Sequence, residues 1–209
     1  MSFKEIWKCI SRKSDFKKEI NAIVKKLPSN EEVAKEVLTS FENHHTKVKF
    51  DADIKNSYYV FLNDTIYISD NRKDQNEYSR ITLIVHEVIH SLQNKFLQWI
   101  NFLASNIEIL LFLVCCICAI IGKSFQILYF SYIGVFILTI LARAILELHA
   151  VIKSIFDTEK YLTHKLKKED LKKVMKGVKT NIIVLLPVFL ISLFFWKFVR
   201  FAIVFYMYI

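Results

Sequence analysis

Two stretches of this chain, positions 109 to 121 and 181 to 196, contain no charged residue, and a third apolar stretch lies between them. Hydrocarbon offers no partner to a backbone N–H or C=O, so stretches of this kind fold as helices that satisfy their own backbone within a bilayer. Composition agrees. Hydrophobic residues make up 54% of the 209 positions and 18 residues are Phe, with only three Gly and two Pro, which favours helices with few turns. The expected fold class is therefore a mainly α membrane protein.

The first span is expected between Trp99 and Gly122. Its upper part carries Asn101, Ser105, Asn106 and Glu108, which should face protein or water, because an ionised carboxylate in lipid costs roughly 2.5 to 3.5 kcal/mol. Gly122-Lys123-Ser124 reads as a tight turn, and a second span, Phe125 to Leu146, brings the chain back with Arg143 near its end and Glu147 emerging just beyond. A charged helical connector follows from Lys153 to Lys179, and the third span starts near Asn181. Lys197 and Arg200 interrupt the apolar tail, so residues 181–209 read either as one long tilted helix with snorkelling bases or as a span plus a surface segment. Four segments result: residues 1–98, with N-terminal helices, a small sheet and a further helix; a transmembrane hairpin at 99–146; a connector at 147–179; and a C-terminal transmembrane region at 180–209.

Sixteen Lys and Arg precede the first span and most others lie in the connector, while the turn carries only Lys123. The positive-inside tendency then places the N-terminal part and the connector on the cytoplasmic side of a multi-pass cell-membrane protein, with the C-terminus outside. The net charge of +9 lies beside apolar spans, where the lipid bilayer is the nearer anionic partner, and no nucleic-acid motif accompanies it. Nucleic acid is not an expected partner. Nothing near the N-terminus has the apolar run of a cleavable signal peptide. Phe3, Ile6, Trp7 and Ile10 instead follow a helical period among Lys4, Lys8, Arg12 and Lys13, which suits an interfacial anchor and equally an amphipathic helix packed on a soluble domain.

After Pro28, Ser29 or Asn30 can cap a helix whose apolar face carries Val33, Val37, Leu38 and Phe41. From Lys47 the period changes, and Val48 with Phe50, Tyr58 to Leu62 and Thr65 to Ser69 read as strands of a small antiparallel sheet with a hairpin turn at Asn63-Asp64. A helix follows, expected to start near Asp74 with Glu77 completing a capping box, and to run to about Gln98. Cys115, Cys116 and Cys118 fall in an apolar run with no second pair of cysteines, so buried thiols are expected there rather than disulfides or metal ligands.

That helix carries His86-Glu87-Val88-Ile89-His90, an H-E-x-x-H motif whose two histidines project from one helix face toward a shared metal. The pattern is expected by chance about 0.01 times in a chain with this many His and Glu. Its uncharged neighbours Ile84, Val85, Ser91 and Leu92 fit a half-buried helix. Zinc suits the site, since a catalytic zinc takes three protein ligands and leaves a fourth position for water. Glu87 is placed to act as the catalytic base on that water. The third ligand is expected to be Glu147, because a hairpin of two membrane helices returns the chain to the side it left, and a bend among Asn101, Ser105 and Asn106 would bring the histidines beside it. An interfacial ion pair of Glu147 with Arg143 is the plainer alternative. His149 lies about 200 degrees round the helix from Glu147, which leaves it to support a ligand from behind or to sit at the surface. Arg143 is a candidate oxyanion stabiliser, or the partner of Glu108 or Glu147. His44, His45 and His164 are expected to be solvated.

In these features the chain resembles the membrane-bound neutral zinc metallopeptidases of bacteria, a gluzincin-type family. The likeness runs over about positions 30 to 205: a helix and short strands, H-E-x-x-H followed by Gln93, two spans, Glu147 opening an E-x-x-A-like stretch to Ala150, a charged connector and a final apolar region. It departs in having Ile89 where that family usually has Gly and Val151 where it has a small polar residue. The resemblance implies a zincin-like α+β cytoplasmic unit joined to about three transmembrane helices, with zinc on His86, His90 and Glu147 and catalysis by Glu87. The implied activity is hydrolysis of peptide bonds by zinc-activated water at the cytoplasmic membrane surface, on polypeptide substrates that are membrane-associated or misfolded. Prenyl-protein and heat-shock membrane metallopeptidases share this order of motif, spans and glutamate, and a membrane adaptor that holds zinc without catalysis is the non-enzymatic alternative.

Overall fold

The structure is a computed structural model that describes residues 15–51, 53–69, 78–123 and 125–208. The expected N-terminal anchor and the Asp74–Glu77 capping box lie outside these residues. Helices dominate, in the order α1 (Asp15–Val24), α2 (Asn30–Ser40), β1 (Lys47–Asp51), β2 (Tyr58–Val60), β3 (Thr65–Ser69), α3 (Arg80–Leu92), α4 (Lys95–Ile120), α5 (Gln126–Thr163) and α6 (Lys168–Tyr208). The chain divides into two units: residues up to Leu92 with His149–Leu186, and Gln93–Leu148 with Pro187–Ile209.

In the first unit, α2 begins where its local chemistry dictates. The Ser29 hydroxyl accepts the Glu32 N–H at 3.3 Å while the Glu32 carboxylate accepts the Ser29 N–H at 2.8 Å, a reciprocal capping box. Its apolar face then buries Val33, Ala34, Val37 and Leu38. These side chains join Ile66 and Ile68 of β3, Ile81, Val85, Val88 and Ile89 of α3, and Ala150, Leu162, Val174 and Val178 from α5 and α6 in one apolar core. α6 approaches closely at Gly177, where a Cβ would meet the Ile20 side chain at 2.9 Å. Arg80 opens α3 and is almost wholly buried. Its guanidinium donates to Asn30 Oδ1 at 2.9 Å and to the carbonyls of Val24, Leu27 and Pro28 at 3.1, 3.2 and 2.8 Å, so the start of the histidine helix is tied to the α1–α2 connection.

The sheet corrects the antiparallel expectation. Its order is β1-β3-β2, with β2 antiparallel to β3 but β1 parallel to it, Lys47 opposite Thr65 through Asp51 opposite Ser69. The chain reverses twice between β1 and β3, so the two run the same way. They become neighbours because β3, buried at all but Tyr67, takes the central place, while β1 alternates Lys with apolar residues and suits an edge. The β2–β3 reversal does fall where Asn63-Asp64 suggests, with Asp64 left-handed at φ 49° after a short 3-10 turn over Phe61–Asn63.

Three helices, α4, α5 and α6, are long and apolar enough to cross a membrane. Their boundaries differ from expectation in two respects. The histidine helix stops at Leu92 and does not continue to Gln98, because Asn94 caps a new helix, its side chain accepting the Phe96 and Leu97 N–H groups at 2.8 and 3.3 Å. The break thus falls at Gln93-Asn94 and not among Asn101, Ser105 and Asn106. α5 also continues without interruption through Glu147 into the charged connector, and α6 runs from connector to Tyr208 as one helix across Pro187. α4 ends at the expected turn, where Gly122 takes φ +67°.

In the second unit Cys115, Tyr132 and Val204 form a buried centre with Phe112, Leu128 and Phe201 around it, and Phe136 stacks on Phe201 at 4.7 Å. The three cysteines of α4 are free thiols. Glu108 is fully buried, as its place in an apolar span requires. Lys197 and Arg200 turn inward to it, at 3.2 Å for Lys197 Nζ and at 2.9 and 2.8 Å for Arg200 Nε and Nη2.

Candidate metal centre

α3 has one continuous apolar face made by Ile81, Ile84, Val85, Val88 and Ile89, all buried, and that burial sets the rotation of the helix. His86 and His90, four residues apart, fall on one stripe beside this face and are half-buried. Their Nε2 atoms converge to 3.0 Å with the rings perpendicular. Two nitrogens bound tetrahedrally to one zinc at about 2.0 to 2.1 Å would stand about 3.3 Å apart, so the pair needs only a small opening to share an ion. Two converging lone pairs repel unless a proton or cation lies between them.

Glu147 completes the group. One ligand atom from each of His86, His90 and Glu147 can be chosen so that all lie within 4.8 Å of one another, and Glu147 is buried. A chosen set of two imidazoles and one carboxylate matches the donor chemistry of an open zinc site. These residues can hold a metal ion. Glu147 sits one residue before the point at which α5 passes from the second unit to the first. Its Oε1 accepts from Arg143 Nη2 at 2.8 Å, one helical turn earlier, with the carboxylate 3% and the guanidinium 40% exposed. Between the two pairings considered for Arg143, Glu147 and not Glu108 is the observed partner. The guanidinium neutralises and orients the carboxylate.

Glu87 lies beside the histidines. Its Oε2 accepts the backbone N–H of Tyr59 at 2.8 Å, from the edge strand β2. Tyr59 is fixed in turn, its hydroxyl donating to Asp64 Oδ1 at 2.7 Å, and burial first, then this hydrogen bond, raises its phenol well above the ordinary tyrosine range. His149 is exposed and is outside the group that can share an ion, and His44, His45 and His164 are exposed as expected.

One contact at the site has no pattern in the sequence, and another residue, Gln93, is marked in the sequence only as the position that follows the motif in the resemblance. The Tyr59 N–H carries no side-chain signature, and only the strand reading around Tyr58–Leu62 pointed toward it. Gln93 donates through Nε2 to the Leu146 carbonyl at 2.6 Å and is buried. It stands three residues after His90 and its acceptor one residue before Glu147.

No family model matches the chain, and no curated protein or solved structure matches it.

Proposed function

We propose that this protein is a membrane-integral zinc metallopeptidase that hydrolyses peptide bonds at the cytoplasmic membrane surface, related in design to the gluzincin-type membrane peptidases. The observation that carries the reading is the joint placement of His86, His90 and Glu147 with ligand atoms within 4.8 Å, in a chain whose motif puts Glu87 next to them. His86, His90 and Glu147 would hold the ion. Zinc, when bound there, supplies Lewis acidity that lowers the pKa of water and polarises a carbonyl.

The remaining roles belong to the protein's own groups. Glu87 accepts a proton from water and passes it to the departing amine, and the Tyr59 N–H sets the carboxylate's direction while it does so. Arg143 holds the Glu147 carboxylate in place through their ion pair. Three helices long and apolar enough to cross a membrane support a membrane setting for this chemistry, and such a setting favours membrane-associated polypeptides as substrates. Glu87 also separates the reading from a zinc-holding adaptor, because a structural site needs no base and is closed by a fourth protein ligand.

The test is metal analysis of the purified full-length chain together with cleavage of an unstructured reporter polypeptide, before and after chelation and zinc restoration. About one zinc per chain and cleavage that chelator abolishes and zinc restores are expected. Bound zinc with no turnover would transfer support to the adaptor, and absence of metal binding would end both readings.

A further inference from the structure

The second unit holds more positive charge at mid-span than its buried carboxylate balances. Glu108 is 0% exposed and contributes one negative charge, while Lys197 and Arg200, both paired to it, contribute two positive ones and are 14% and 23% exposed. The carboxylate is closed off and the cations are partly open, so the accessible side of the cluster is positive. Glu108 is the fourteenth of the 26 residues of α4, about 18 to 20 Å from either helix end at 1.5 Å per residue. A phosphate held level with either end of α4 is therefore beyond reach of these side chains. Glu147, the other carboxylate of this unit, is paired with Arg143. Trp196 and Phe198, which flank Lys197 about 100° to either side on the helix, are both more than half exposed.

We propose that this face of the membrane unit is a docking site for a transmembrane segment of another polypeptide carrying one carboxylate at mid-span. An unbalanced cation in hydrocarbon is costly and finds an anion where one can be brought to its depth. A side-chain carboxylate on a neighbouring helix arrives at that depth, and the exposed aromatic side chains beside Lys197 supply apolar surface for the helix bearing it. Charge complementarity specifies the chemistry of the partner. The site uses none of the candidate metal ligands and stands whether or not the chain is a peptidase.

The experiment reconstitutes the labelled full-length chain in phosphatidylcholine vesicles with a synthetic Leu/Ala transmembrane peptide bearing either Glu or Gln at its centre. Association is read by energy transfer. The wild-type chain is expected to bind the Glu peptide about tenfold more tightly than the Gln peptide. Lys197→Met leaves Glu108 and Arg200 as a neutral pair, and Arg200→Met leaves Glu108 and Lys197, so both variants should lose the preference. Their folding is checked by circular dichroism, and the wild-type comparison of the two peptides stands even if one variant does not fold. Equal binding of the two peptides by the wild-type chain overturns the proposal, as does a preference that survives in a folded Lys197→Met variant. Copurification of phosphatidylglycerol with the wild-type chain but not with Lys197→Met, without discrimination between peptides, identifies a lipid occupant and also overturns it.

Discussion

Under the proposed function, replacing Glu87 with Gln separates chemistry from folding at the candidate site. Glu87 Oε2 accepts the Tyr59 N–H at 2.8 Å, and the amide oxygen of Gln can accept the same bond from the same distance. The contact between the edge strand and α3 is thus retained, and stability should change by no more than about 1 kcal/mol. Neither histidine is altered, so zinc binding should persist. What disappears is a group able to take a proton, worth about 10²- to 10⁴-fold in rate, or roughly 2.7 to 5.4 kcal/mol of barrier at 1.36 kcal/mol per decade. Initial rates on an unstructured reporter, with zinc content and thermal midpoint measured on the same preparation, give all three quantities. Glu87→Asp is the companion variant: it keeps the charge but withdraws the carboxylate by one methylene from the Tyr59 N–H, and its rate should fall between the other two. A Gln variant that binds zinc and cleaves within a few-fold of wild type would remove Glu87 from the mechanism.

Three further outcomes follow from the geometry. Arg143→Met should weaken zinc binding by about 10- to 100-fold through loss of the partner that orients Glu147, and Glu147→Gln should weaken it further, both read by competition with a chromophoric chelator; zinc affinity unchanged in both variants would leave Glu147 as an ion-paired carboxylate and no ligand. Glu108→Gln leaves Lys197 and Arg200 without their counter-charge in a buried cluster, which should cost about 3 to 5 kcal/mol in a denaturing-detergent titration followed by Trp99 and Trp196 fluorescence. The backbone and hydroxyl bonds from Ser29 hold the Glu32 carboxyl below its ordinary value of 4.5. A depressed carboxyl contributes stability above the unfolded pKa and loses it as pH falls through the folded value, so the wild-type chain should lose stability below about pH 4.5 that Glu32→Gln, with no carboxyl to titrate there, does not lose, while Ser29→Ala, which keeps the backbone N–H bond to Glu32, should lose it only in part.

The sequence and the structure agree most closely where a local rule operates without competition. Ser29 and Glu32 sit at capping-box spacing, and no distant contact opposes them. The apolar runs in α4, α5 and α6 leave the backbone no alternative to helix in lipid. The histidine pair follows from helical period alone. Agreement weakens where two local rules compete. Residues from Arg80 to Leu97 are compatible with one unbroken helix, yet Asn94 is a strong N-cap, and with its side chain turned onto Phe96 and Leu97 it starts a second helix. Non-local packing decides the sheet. Strand propensity identifies β1, β2 and β3, but only the burial of β3 on both sides selects the order β1-β3-β2, and with it the parallel pair. Lys197 and Arg200 present the same difficulty from the opposite direction. Bases that interrupt an apolar run commonly snorkel, whereas the inward turn of these two depends on a carboxylate 89 and 92 positions away.

Gln93 shows how chain topology alone draws attention to Glu147 as a candidate ligand. A hairpin of two apolar helices joined at Gly122 must bring the beginning of α4 level with the part of α5 near Leu146, whatever side chains are involved. The structure fastens that level with one short hydrogen bond, Gln93 Nε2 to the Leu146 carbonyl at 2.6 Å. Leu146 lies within α5, where its carbonyl already serves the helix ladder, so the bond uses a second lone pair and does not compete with helical structure. A buried amide with that acceptor is favourable, and without it the same burial would cost about 1 to 3 kcal/mol. Gln93 therefore specifies register between the two helices as well as proximity. Residue 146 is one position from Glu147, so a register set there is passed on to the Glu147 carboxylate through a single peptide bond.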